Sequence, residues 1–172
     1  MDLKTKFLSI VVQAEKLYGP RDGKFIINEV KIVDSPYSPQ TIVEKKCLVN
    51  VNLSVSTNRF LNMAFEMYHE AVHCLNPCYR EDCNYLEEAV AVHFSLKYVS
   101  VDLRYREVIE QHDRYREALH AFESVPGLSD EMIQQLRLGC RSLSGSTLLD
   151  LTTAGLENPD NEHLIKLISK AY

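Results

Sequence analysis

No apolar run in this 172-residue chain is long enough to cross a membrane, since a spanning helix needs about 20 such residues. The nearest approach, Phe7-Leu8-Ser9-Ile10-Val11-Val12, is interrupted by Gln13, Ala14, Glu15 and Lys16. It reads as part of an amphipathic helix rather than as a signal peptide, so a cytoplasmic location without a membrane partner is expected. A run of Lys and Arg is also missing, as is any RNA-binding aromatic motif. With 19 basic against 24 acidic residues and a net charge of −5, the chain lacks the basic footprint of a nucleic-acid binder. Cysteines are odd in number, at 47, 74, 78, 83 and 140, which without a secretory signal argues against a disulfide framework. Cys74, Cys78 and Cys83 cluster, but their spacing fits no standard zinc module. They read as buried or loop thiols, with a second zinc site or a redox switch as the alternative. No convincing internal repeat emerges. The 45% hydrophobic and 25% charged content is that of a soluble globular protein, and the length suits one domain.

Against these absences stands one motif, His69-Glu70-Ala71-Val72-His73. On a helix, residues four apart share a face, so both imidazoles can reach one ion, and Glu70 lies where it can take a proton from water. The surroundings supply the helix. Thr57 or Asn58 is a candidate N-cap, and Phe60, Ala64, Met67 and Ala71 recur at helical spacing beside Leu61, Phe65, Tyr68, Val72 and Leu75. Asn62, Glu66, His69, His73 and Asn76 form the complementary polar stripe, and Asn76-Pro77 ends the helix. A catalytic zinc takes three protein ligands. Two adjacent carboxylates, Glu87 and Glu88, open the next helix. Neighbouring helical residues diverge by about 100°, so only one should face the metal. Asn84 with Glu87 reads as a capping-box variant, which assigns Glu87 to the helix N-terminus and leaves Glu88 to coordinate. Ala91 and Ser95, small and on the Glu88 side, permit close helix approach.

In these residues the chain resembles the gluzincins, zinc peptidases that combine His-Glu-x-x-His with a downstream glutamate ligand. Aminopeptidase-related members show aromatic-Leu-x-Glu-Gly-x-Ala around that glutamate; Tyr85, Leu86, Glu88 and Ala91 match it, whereas Ala89 replaces the glycine and the connection from His73 is short. The likeness spans Val49 to Ser95 at most. It implies one Zn2+ bound by His69, His73 and Glu88, Glu70 as general base, and a peptide or protein substrate. It further implies an edge strand near the motif helix that pairs with extended substrate, for which Val49, Asn50, Val51 and Asn52 are the candidates, and a downstream Tyr or His serving the oxyanion. Tyr98, Tyr105, His112, Tyr115 and His120 are eligible. Tyr105 and His112, a heptad apart, are preferred.

The remaining pattern is a helix over Leu3–Leu17 ended by Gly19-Pro20, a strand over Phe25–Val33, a loop over Asp34–Pro39, and an alternating half-buried strand from Cys47 to Val55. From Asp102 onward it is helical. Asp102 to Phe122 carries the pairs Asp102/Arg106 and Glu110/Arg114; Pro126-Gly127 breaks it, Ser129 or Asp130 caps the next helix, and Gly139 to Gly145 connects to helices near Thr147–Ala154 and Pro159–Lys170. The expected fold is α+β: a zincin-like core with a small sheet and an active-site helix over 1–100, and a helical C-terminal subdomain over 101–172 packed on it as one unit. The expected function is a zinc metallopeptidase. The alternative is a zinc-binding regulatory or protein-interaction module on the same scaffold.

Overall fold

A computed structural model describes residues 1–34, 39–54, 63–99, 104–156 and 162–171, the side chains of Lys46, Arg104, Tyr105 and Val108 excepted. The candidate caps Thr57 and Asn58, the stripe residues Phe60, Leu61 and Asn62, and Asp102 lie outside the described residues, as do Val55, Pro159 and the loop at 35–38.

Helix α1 (Leu3–Tyr18) starts where the Asp2 side chain accepts from the Thr5 N–H at 3.0 Å, an N-cap of the usual kind. It ends at Gly19, whose φ of 90° is costly for any residue with a Cβ and whose N–H reaches Glu15 O. Its face of Phe7, Ile10, Val11, Ala14 and Tyr18 is buried.

Strands β1 (Ile26–Val33), β2 (Gln40–Glu44) and β3 (Leu48–Ser54) form a sheet of order β1-β3-β2. β3 pairs parallel with β1 and antiparallel with β2. This corrects the substrate-edge expectation. Val49, Asn50, Val51 and Asn52 lie on the central strand, with partners on both sides, so they offer no open edge to a substrate. The alternation expected of β3 is also broken, because Asn50 is buried along with Val49 and Val51. A lateral chain explains it: Asn28 Nδ2 donates to Asn50 Oδ1 at 3.0 Å, and Asn50 Nδ2 donates to Glu44 Oε1 at 2.6 Å. β2 has no counterpart in the sequence reading.

Helix α2 (Met63–His73) packs on the sheet and α1. Its Glu66 is buried and satisfied at the end of β3, accepting from Ser54 N at 2.7 Å and from Ser54 Oγ. Helix α3 (Tyr85–Val99) lies against α2, with Ala91 and Ser95 fully buried. The expected single helix after Asp102 is two, α4 (Arg104–Ile109) and α5 (Asp113–Glu123). The break removes the shared face assumed for Tyr105 and His112. Glu110 bonds His120 Nε2 at 2.8 Å, and Arg114 turns inward. Helices α6 (Asp130–Cys140, N-capped by Ser129), α7 (Leu148–Thr153, with a Thr147/Asp150 capping box) and α8 (Glu162–Ile168) follow.

One cluster of buried apolar side chains runs from Phe7 to Leu167, so the later helices share a core with the sheet. Arg137 of α6 joins the two parts. Its guanidinium donates to Tyr18 O and Gly19 O at 2.8 Å each, to Pro20 O at 3.1 Å and to Leu75 O at 3.3 Å. Among the described residues, no helix is long and apolar enough to cross a membrane.

Candidate metal centre

Spacing of four on α2 puts His69 and His73 one turn apart, and packing of α3 brings Glu88 opposite them. The two Nε2 atoms are 3.2 Å apart; His69 Nε2 lies 3.6 Å from Glu88 Oε1, and His73 Nε2 lies 3.6 Å from Glu88 Oε2. Zinc bonds of about 2.0–2.2 Å in tetrahedral geometry separate neighbouring donors by roughly 3.3–3.6 Å. Two imidazoles and a carboxylate are also a ligand set that catalytic zinc uses. These three residues therefore fit a zinc ion in both spacing and chemistry.

The charge balance points the same way. Glu70, Glu87 and Glu88 are all under 5% exposed. Burying several carboxylates is unfavourable without compensating charge, and Arg114, 3.1 Å from Glu88 Oε1 through Nε, offsets only part of it. Burial tends to raise the Glu88 carboxyl, but His69, Arg114 and His73 together hold it below its ordinary range. Burial depresses His69 to about 3. His73 is raised to about 10: burial opposes its charge, but the Glu87 hydrogen bond, with the charges of Glu87, Glu88 and Glu70, outweighs it.

Each of these three residues, His69, His73 and Glu88, has an outer partner, the arrangement that fixes ring and carboxylate orientation in metal sites, with one exception. Glu87 Oε1 lies 2.9 Å from His73 Nδ1, and the other oxygen of Glu87 accepts from Ser144 Oγ. Asn84 does cap α3, accepting from Glu87 N at 3.0 Å. The Glu87 side chain, however, turns to His73 rather than closing a capping box, because the half-buried imidazole offers a charged donor. Cys83 Sγ lies 3.6 Å from Glu88 Oε2. The exception is His69 Nδ1, which is buried and has no protein partner among the described residues.

Glu70 points to the sheet side, where Thr41 Oγ1 of β2 donates to its Oε2 at 2.7 Å. Burial raises this carboxyl to about 7, against the opposing effects of His73 and Thr41. The neighbouring Cys74 is an inert core thiol, pushed up by burial and 3.9 Å from Thr41 Oγ1.

Of the five candidates for an oxyanion donor, Tyr115 on α5 packs on the site, with its ring centroid 5.0 Å from that of His69. His112 is exposed at the N-terminus of α5, its ring 5.7 Å from Tyr115. Tyr98 stacks on Tyr68, and His120 pairs with Glu110. The Tyr105 side chain lies outside the described part. Thr41, Glu87 as an outer partner, Arg114 and Ser144 were not found from sequence. Only Arg114 carried a signal, a charge placed next to an aromatic on the inward side of a helix. No family model, no curated protein and no solved structure matches the chain.

Proposed function

We propose that the chain is a zinc-dependent metallopeptidase of gluzincin type, with the sheet, α2 and α3 as a zincin-like core, acting on peptides or proteins in the cytoplasm. The observation that carries this reading is the convergence of His69, His73 and Glu88 donors at 3.2–3.6 Å, beside a buried Glu70 anchored by Thr41. One Zn2+ held by these three residues would supply Lewis acidity, bringing a water's pKa to about 7 and polarising the scissile carbonyl. Glu70 takes the proton of the attacking water and delivers it to the leaving amine. Thr41 holds one oxygen of that carboxylate, Glu87 fixes the His73 ring, and Arg114 fixes Glu88. Tyr115 replaces Tyr105 and His112 as the donor assigned to the developing oxyanion. An extended substrate pairs along β2, which has a partner only on its β3 side among the described residues.

Burial favours a second reading. His69 and Glu70 are 2% exposed and Glu88 is 0% exposed, and closed zinc sites are characteristic of structural roles. On this reading the chain is a zinc-binding regulatory or interaction module without proteolysis. Assay of zinc-loaded wild type and Glu70→Gln on casein and a mixed peptide library separates the two. The peptidase reading expects turnover to fall about 10²–10⁴-fold in the variant, the usual contribution of a general base, with zinc retained. Wild-type cleavage no faster than the variant's would sink it in favour of the module.

A further inference from the structure

Glu87 and Glu88 stand on the first turn of α3, and that turn is held from outside its own helix. The opening N–H groups of a helix find no partner within it. Here the Tyr85 N–H donates to Ser169 O at 3.0 Å, and the Ala171 N–H donates to Cys83 O at 3.0 Å. Between them Asn84 and Lys170 pair as an antiparallel bridge, and Lys170 Nζ donates to Asp82 O at 2.7 Å. Lys166 Nζ lies 3.9 Å from the centre of the Tyr85 ring. It donates to Glu117 Oε2 at 2.7 Å, the same oxygen that accepts from the Tyr85 hydroxyl at 3.0 Å. Asn84, 1% exposed, passes this hold on to the carboxylates. Its Oδ1 accepts from Glu87 N at 3.0 Å, its carbonyl accepts from Glu88 N at 3.2 Å, and its Nδ2 donates to Leu143 O at 2.7 Å. Ser169 and Lys170 are themselves exposed, whereas Leu164 and Leu167 anchor α8 in the core.

We propose that residues 169–171 are a positioning strap coupled to the metal centre through Asn84, so that strap docking and metal binding favour each other. The inference rests on the metal reading above and adds regulation of that site. Glu88 must hold its two oxygens 3.6 Å from both imidazole Nε2 atoms, while Glu87 orients the His73 ring from 2.9 Å. Both backbones are fixed by Asn84, and Asn84 is fixed by the strap on either side of it. An exposed segment on a few hydrogen bonds opens locally without unfolding the rest of a protein. Once it opens, Tyr85 N and Cys83 O turn to water, and the first turn of α3 frays with its two carboxylates. Loss of an outer partner weakens metal binding about 10–100-fold. The strap acts one step further out, which puts its effect at the lower end, about tenfold. Coupling of this kind is reciprocal: zinc must tighten strap docking by the same factor. Anything that draws the strap away from residues 82–85 therefore lowers zinc occupancy.

The test uses the full chain and reads the coupling from both ends. Chelator competition measures zinc affinity in wild type, in Ala171→Pro, which lacks the N–H given to Cys83, and in Ala171→Ser, which keeps it. Ala171→Pro should bind zinc about tenfold more weakly, and Ala171→Ser should match the wild type. Thr147→Ala, which loosens α7 away from α3, serves as the control for stability alone and should keep wild-type affinity. Amide hydrogen exchange on the wild type needs no variant. Zinc should slow exchange at the Tyr85 and Ala171 amides by about the same tenfold factor. The strap is overturned if Ala171→Pro folds and keeps wild-type affinity, if Thr147→Ala loses as much affinity as Ala171→Pro, or if zinc leaves exchange at both amides unchanged. In each of these cases zinc still binds the wild type and the metal reading stands. A wild type that takes up no zinc overturns the metal reading, and the coupling with it.

Discussion

Arg137 and the His69/His73/Glu88 cluster both bury polar groups, and they do so in opposite ways. Arg137, 7% exposed, gives its donors to the carbonyls of Tyr18, Gly19, Pro20 and Leu75. Donor meets acceptor throughout, and what results is a joint between α6 and the ends of α1 and α2. In the cluster, two imidazole nitrogens and a carboxylate face one another, with His69 Nδ1 buried and, among the described residues, unpartnered. A saturated buried group explains itself by stability. A convergence of lone-pair atoms asks for a cation.

The contrast predicts that damage at one place leaves the readout of the other untouched. The largest effect is on turnover: Glu70→Gln keeps shape and zinc, so its loss of about 10²–10⁴-fold in rate should come without a change in the unfolding midpoint. Arg137→Ala should do the reverse. Leaving several buried carbonyls unpaired costs about 3 kcal/mol, roughly 6–12 °C in Tm for a chain of this size, with zinc per folded chain unchanged; a full-stability variant would remove the joint from the account. Glu87→Gln keeps a hydrogen-bonding group but removes the charge facing His73, so chelator competition should show zinc affinity lower by about tenfold. The smallest effect belongs to Thr147→Ala, which breaks the α7 capping box. Denaturant unfolding should register about 1 kcal/mol, and zinc titration should register nothing.

What could be read from sequence follows the range of the interactions. The limits of α1, α6 and α7 are set within a few residues by Asp2, Gly19, Ser129 and Thr147, and the motif's geometry is a property of one helix. Divergence of adjacent helical positions left room for only one of Glu87 and Glu88 at the imidazole Nε2 atoms. The capping-box variant and the gluzincin-like motif picked Glu88, which does lie there, although Glu87 turns to His73 and closes no box. The uses of Glu87, Arg114 and Thr41 depend on partners 14, 26 and 29 residues away, and no local period encodes such distances. β3 misled for the same reason. Its alternation describes side chains, whereas edge or centre is decided by which backbones arrive on either side, and β2 is too short to announce itself beyond Thr41-Ile42-Val43.

The central claim is that the cluster holds a metal ion, and the most direct test is the zinc content of protein purified without added metal, alongside His69→Ala and Glu88→Ala. The account predicts about one zinc per wild-type chain, as a three-ligand site requires, and its loss in both variants. A folded wild type that carries no zinc and takes up none when it is added, or a Glu88→Ala protein still fully loaded, would contradict it.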